Sequence, residues 1–145
     1  MQFVAKAYRD LEKDELYEIL LSRAQVFVVE GNIRYLDMDG IDRRSLHCFL
    51  TDGDAVLAYL RAFPTEREGE IKIGRVLTRT HGLGHGRRLM EQAMRAICSH
   101  FSPTRLVLHA QTPVVGFYEK LGFTVTSDEF LEAGIPHREM VWQGK

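Results

Sequence analysis

Apolar and polar positions divide the chain into alternating short strands and helices. Phe3-Val-Ala-Lys-Ala-Tyr8 alternates weakly and predicts a first strand. From Asp10 to about Val29, the positions Leu16, Ile19, Leu20, Arg23 and Phe27 recur at three- and four-residue spacing, which predicts a helix. Asp10, Glu12, Asp14 and Glu15 load its first turn with the negative charge that helix N-termini favour. Its last turn, Val26-Phe-Val-Val29, reads as buried, with Gly31 as the stop. Residues 32–45 have no period and read as a loop. His47–Thr51 and Ala55–Phe63 around Asp52-Gly-Asp54 predict a hairpin, its second arm apolar enough to lie centrally in a sheet. After a charged loop at Pro64–Glu70 come a strand over Ile71–Thr78 and a helix over Gly86–Phe101. Leu89, Ala93, Ile97 and Phe101 form one apolar stripe on that helix. A strand over Arg105–Ala110, a short helix over Pro113–Leu121, a strand over Phe123–Phe130, a turn at Ala133–Pro136 and a strand over His137–Trp142 complete the pattern.

Composition narrows this to one soluble α/β domain: 145 residues, 45% hydrophobic and 27% charged. No apolar run approaches the roughly 18 residues of a membrane span. Met1–Lys6 lacks the basic start and apolar block of a secretory leader, so a cytoplasmic protein is expected. Cys48 and Cys98 are far apart in apolar surroundings and read as reduced core thiols. A net charge of −1 argues against nucleic-acid binding. The average hides an asymmetry, with 14 acids against 9 Lys/Arg in residues 1–70 and 6 against 10 thereafter. Between Ile71 and Met90 stand Lys72, Arg75, Arg79, Arg87 and Arg88 and no acid, a run that favours a phosphorylated ligand.

That run surrounds the densest glycine turn of the chain, His81-Gly-Leu-Gly-His-Gly86, placed where a strand enters a helix. Gly82, Gly84 and Gly86 free three backbone positions of a Cβ, so successive N–H groups can converge on one anion at the positive end of the helix. A Walker loop is excluded because no Lys-Ser/Thr follows, and the dinucleotide fingerprint because Arg87 stands where glycine is needed. Asp37-Met-Asp-Gly-Ile-Asp42 resembles half of a calcium loop, but Cys48 occupies the position of the liganding Glu, and no metal spacing links the histidines. No metal is expected. The acidic stretch reads instead as a solvated loop or, as the functional alternative, as an acidic wall that attracts a cationic substrate.

The turn, continued by Arg87-Arg-Leu89, resembles the pyrophosphate motif Arg/Gln-x-x-Gly-x-Gly/Ala of the GNAT superfamily of acetyl-CoA-dependent N-acetyltransferases, with His81 in the place of Arg or Gln. A second register, Arg79-Thr-His-Gly-Leu-Gly84, matches by letter. The first puts Leu89 at the family's apolar helix position. Phe117-Tyr-Glu-Lys-Leu-Gly-Phe123 is similar, almost letter for letter, to the GNAT segment whose tyrosine faces the thioester sulfur. Arg23–Glu30, Tyr35–Gly40 and Gly134-Ile-Pro-His137 are similar to the ElaA-like branch of that superfamily. The resemblance implies the GNAT fold: a mixed, mostly antiparallel sheet of six or seven strands flanked by about four helices.

It also implies acetyl transfer to the amine of a small molecule or peptide, by direct transfer in a ternary complex, in a monomer or homodimer. Pantetheine would lie along Val76, Leu77 and Thr78, and one of their N–H groups would polarise the thioester carbonyl. His81, Gly82, Gly84, His85, Gly86, Arg87, Arg88 and Phe117 would complete the cofactor site. Tyr118 would assist the leaving thiolate, either with a lowered pKa or as a hydrogen-bond donor. An alkyl amine titrates near 10.4 and must lose a proton before attack. Glu30, Asp37, Asp39 and His47 are candidates for that base, whereas His109 and His137 are expected to be structural or solvent-facing. Two alternatives are a non-catalytic acyl-CoA-binding regulator and a transferase of a longer acyl group.

Overall fold

Eight strands form one mixed sheet in the computed structural model, which describes residues 1–144. They are β1 (Gln2–Ala7), β2 (Leu46–Thr51), β3 (Val56–Pro64), β4 (Glu70–Thr78), β5 (Arg105–Gln111), β6 (Thr124–Val125), β7 (Phe130–Glu132) and β8 (Ile135–Trp142). The spatial order is β1-β2-β3-β4-β5-β8-β6, with β7 also on β8. Every pairing is antiparallel except β4 with β5. Parallel neighbours need a crossover, and α2 (His85–Phe101) supplies it. One face of the sheet buries Leu89, Met90, Ala93 and Ile97 of α2, and with them Tyr118 of the short helix α3 (Val115–Glu119). Burying each of Leu89, Met90 and Ile97 is worth about 1.5–3 kcal/mol, which secures the helix that carries the glycine turn. On the opposite face α1 (Lys13–Arg23) packs Ile19 against Phe49, Val56, Tyr59 and Leu77.

Three boundaries differ from the sequence expectation. The first helix starts at Lys13 rather than Asp10, because Glu12 and Glu15 form a reciprocal capping box and Tyr8–Asp10 is a separate 3-10 turn. Its end does not continue as α-helix: Ala24–Glu30 widens into a π-helical segment. The change of register turns Val28 and Val29 outward, so the expected burial of the last turn fails. Gly31 caps that segment, and a Cβ on it would stand 2.8 Å from the Phe27 carbonyl oxygen. The expected strand over Phe123–Phe130 is two strands, β6 and β7. Between them the Glu139 N–H donates to Ser127 Oγ at 2.9 Å, and a side chain replaces the ladder. This break raises the strand count to eight.

Candidate active site

The parallel pairing of β4 with β5 covers Glu70–Ile73 against Arg105–Leu108 and then stops, although β4 runs to Thr78 and β5 to Gln111. Beyond Ile73 and Leu108 the two strands therefore leave a cleft with unpaired backbone groups along both walls. Such an opening accepts an extended ligand as an added strand. On its other edge β4 pairs with β3 as Arg61 with Gly74 and Tyr59 with Leu77, so one extra residue bulges from β4 at Arg75–Val76. Arg75 has φ +54°, a conformation that L residues avoid. The bulge removes this stretch from the β3 ladder.

At the far end of the cleft the glycine turn leads into α2. Gly82 (φ +80°) and Gly84 (φ +74°) take the left-handed conformation, and Gly84 is the N-cap. The first bond within the helix runs from the Arg88 N–H to the Gly84 carbonyl, which leaves the preceding amides of the turn free for an anion. Gly86 has a different role. A Cβ there would stand 3.5 Å from the Thr78 methyl carbon and 3.6 Å from the Phe117 ring, so this residue joins the end of β4, the start of α2 and α3. His85 Nδ1 is buried with no hydrogen-bond partner among the described residues, which suits a ligand that brings its own. Arg87 and Arg88 are exposed beside the turn, Arg87 with only a 3.6 Å i,i+4 contact to Glu91.

Tyr118 stands on α3, 7% exposed, between Phe117 (centroids 5.1 Å apart) and Phe123 (6.0 Å) in edge-to-face contacts. Burial pushes its phenol up to about 12, so the hydroxyl keeps its proton at neutral pH. Cys48 is buried and its thiol is likewise pushed up to about 12, which leaves it unfit as an acyl-accepting nucleophile.

Residues 37–143 match the Acetyltransferase (GNAT) domain. The chain belongs to the GNAT family. It is 39% identical over 144 residues to a UPF0039 protein of Schizosaccharomyces pombe, covering 97% of this chain and 95% of the relative. Protein ElaA of Escherichia coli is 32% identical over 135 residues, covering 90% and 88%. The crystal structure of Escherichia coli ElaA superposes with a TM-score of 0.91 at 29% identity, covering 98% of this chain and 99% of the other. An acyl-CoA N-acyltransferase from Pseudomonas aeruginosa gives a TM-score of 0.91 at 34% identity with the same coverage. Within GNAT the chain falls in the ElaA-like branch. Among the described residues no helix is long and apolar enough to cross a membrane, and no group of three metal-ligating side chains converges.

Of the residues expected to hold the cofactor, Val76, Leu77 and Thr78 end β4, Gly82, Gly84, His85, Gly86, Arg87 and Arg88 form the turn and the start of α2, and Phe117 of α3 lies against Gly86. His81 is exposed at the rim of the turn. The predicted bases are dispersed. Glu30 is exposed at the end of the π segment. His47 is fully buried: its Nε2–H donates to the Asp42 carbonyl at 2.8 Å, and its Nδ1 accepts from the Tyr59 hydroxyl at 2.7 Å. Both ring nitrogens are therefore used, and burial lowers the ring below its ordinary value of 6.5.

Asp37 and Asp39 require a correction, because they do not form an acidic wall. Arg23 Nε donates to Asp37 Oδ2 (2.9 Å) and Arg75 Nε to Asp37 Oδ1 (2.9 Å), while Arg61 forks onto both Asp39 oxygens (2.8 and 2.7 Å). Asp42 takes Arg23 Nη1 (2.7 Å) and Arg61 Nη1 (2.9 Å), and the Arg75 guanidinium lies 4.7 Å over the Tyr35 ring. Three arginines thus neutralise three aspartates, and the loop is pinned to β3 and to the β4 bulge. Hydrogen bonds from Arg61 hold the Asp39 carboxyl far below the usual carboxylate range, which makes it a poor base. Burial works to raise Asp42, but the hydrogen bonds and charges of Arg23 and Arg61 overcome it and hold that carboxyl low as well.

These shifts set a pH dependence. A group lowered in the folded state stabilises above its unfolded pKa, and that stability is lost as pH falls through the folded value. Tm is therefore expected to decline gently below about pH 6.5, as His47 resists protonation, and steeply below about pH 4, as Asp39 and Asp42 do. Calorimetric scans across that range check it, and a flat Tm between about pH 7 and 5 contradicts the His47 contribution.

A second polar cluster joins β5, β7 and β8, built on the two histidines that the sequence reads as structural or solvent-facing. His109 Nδ1–H donates to Glu132 Oε1 at 2.8 Å, and His137 Nε2 lies 3.8 Å from Glu132 Oε2. The hydrogen bond from His109 lowers the Glu132 carboxyl against the opposing effect of burial. Two signals were present in the sequence: Ala133-Gly134, which forms the two-residue β7–β8 turn with φ +53° and +76°, and His109 itself, just beyond the apolar run of β5.

Proposed function

We propose that this protein transfers the acetyl group of acetyl-CoA to the primary amine of a small molecule or peptide in a single ternary complex. The observation that carries this reading is the β4–β5 cleft, whose strand β4 leads into a helix start with free amides, while buried, protonated Tyr118 lies on α3 next to the Phe117 ring that meets Gly86. The turn amides of His81–Gly86, with Arg87 and Arg88, take the pyrophosphate. Pantetheine pairs with Val76–Thr78. A backbone N–H at the bulge faces the thioester carbonyl, where a preorganised donor is worth about 3–4 kcal/mol of barrier.

Initial-rate kinetics test the order of events. Acetyl-CoA and amine varied together are expected to give intersecting double-reciprocal lines, and intact mass spectrometry no acetylated protein after acetyl-CoA alone. Parallel lines with an acetyl adduct contradict direct transfer. For the phosphate end, Arg87→Glu with Arg88→Glu is expected to weaken CoA binding by about tenfold at low ionic strength and progressively less as salt is added. Calorimetry that finds unchanged affinity contradicts the pyrophosphate assignment.

A further inference from the structure

Acetyl transfer from a neutral-pH solution needs a base within reach of the attacking ammonium, and the Asp37 and Asp39 carboxylates are paired with arginines while both ring nitrogens of His47 are bonded. We infer that His109 is the general base and that Glu132 is the positioning residue that fixes its tautomer. This rests on the acetyltransferase reading above.

The geometry starts from the proton that His109 donates. Ionised Glu132 can only accept, so the 2.8 Å bond puts the hydrogen on Nδ1 and leaves the lone pair of the neutral ring on Nε2. A base held by a carboxylate in one tautomer is the arrangement that general-base catalysis requires. His109 is the first residue of β5 beyond its last pair with β4, Leu108 with Ile73, and so stands at the mouth of the cleft. One further step of that register would bring it opposite Gly74, where a Cβ would meet nothing within 4 Å. The β4 side of the cleft mouth is therefore open at Gly74, next to the bulge. The groups around His109 are Glu132 on β7, His137 and Glu139 on β8, and Lys72 of β4, which pairs with Val107 and acts on Glu132 through its charge. Glu139 Oε2 lies 4.0 Å from Nε2, so the lone pair has a carboxylate beside it that complements an ammonium. The ring is steadied by Phe130, edge-on at 5.1 Å, and Phe130 in turn stacks on His137. His137 is locked as well, its Nδ1–H donating to the Ile135 carbonyl at 2.7 Å.

In the transfer step His109 Nε2 takes one proton from the ammonium, and the freed nitrogen pair forms the N–C bond while the carbonyl π pair moves to oxygen. Collapse breaks the C–S bond. The amide nitrogen gives its second proton to water, the thiolate leaves hydrogen-bonded to Tyr118 and collects a proton from water, and His109 releases its own. One proton is liberated per acetyl group.

His109→Gln and Glu132→Gln in the full chain test the pair, with CoA release and a panel of primary amines measured from about pH 6 to 10. His109→Gln is expected to lower kcat/KM for the amine about 10²–10⁴-fold at neutral pH, leaving a rate that climbs only with the amine's own deprotonation. Glu132→Gln is expected to move the acidic limb to lower pH, because the imidazolium loses a neighbouring negative charge. Acetyl-CoA affinity by calorimetry is expected to stay unchanged in both, which separates the effect from misfolding. A His109→Gln profile superimposable on that of the wild type overturns the base alone, whereas wild-type protein that releases CoA with no amine overturns the acetyltransferase reading and the base with it. ¹⁵N-histidine spectra read the geometry without turnover: His109 is expected as the Nδ1–H tautomer, and an Nε2–H tautomer in the wild type overturns the pair.

Discussion

Arg23→Ala is expected to lower the free energy of unfolding by about 3–5 kcal/mol, read from urea denaturation at unchanged m-value. The side chain is 0% exposed and spends its donors on Asp37 Oδ2, the Asp37 carbonyl and Asp42 Oδ1, at 2.9, 2.9 and 2.7 Å, with its guanidinium 5.8 Å over the Tyr59 ring. Removing it leaves the carboxylate of buried Asp42 with Arg61 alone and that of Asp37 with Arg75 alone, and opens a cavity between α1 and β3. Uncompensated buried charge dominates this cost, since a domain of this size has only about 5–15 kcal/mol to lose. Arg44→Ala is the matched control. Arg44 is exposed and donates to the Pro64 carbonyl at 2.8 Å, so its loss is expected to stay within about 0.5 kcal/mol. A loss below about 1 kcal/mol for Arg23→Ala contradicts a network that pins the loop.

Tyr118→Phe is expected to lower kcat about ten- to a hundredfold while acetyl-CoA affinity stays within a few-fold, the range of a hydrogen bond to a charged group worth about 1.5–3 kcal/mol. Burial sharpens the role. With the phenol near 12 and a free thiol near 8.5, full proton transfer to the departing sulfur is uphill by about 5 kcal/mol. Of the two roles open from the sequence, the raised phenol favours the proposed one, a hydrogen-bond donor to the thiolate, over a lowered pKa. The substitution keeps the ring contacts with Phe117 and Phe123, so stability is expected to change little. An unchanged kcat removes the hydroxyl from the chemistry.

The parts of the molecule that were legible in the sequence are those fixed by neighbours along the chain. β4, the glycine turn, α2 and β5 follow from a β-branched run, left-handed glycines, one apolar stripe and a second apolar run, and together they define the cleft. The parts that were not legible depend on distant partners. The strand after Phe123 breaks because β8 presents the Glu139 N–H to Ser127, and the helix end at Ala24–Glu30 changes register. Asp37 and Asp39 read as solvated acids because their arginines are far away in sequence: Arg75 is 38 positions from Asp37, and Arg61 is 22 from Asp39. The same holds for His109, whose partner Glu132 is 23 positions on and reaches it only once the β7–β8 hairpin has folded. Charge that looks free in a sequence can be spent inside the fold, as with these aspartates, and a histidine that looks incidental can acquire an orienting carboxylate.

Product stoichiometry tests acetyl transfer most directly. Purified protein with acetyl-CoA and a panel of primary amines is expected to release CoA thiol and form N-acetylated amine in equal amounts, both abolished when the amine is omitted. Tight acetyl-CoA binding by calorimetry with neither product would contradict it and make the protein an acyl-CoA-binding regulator.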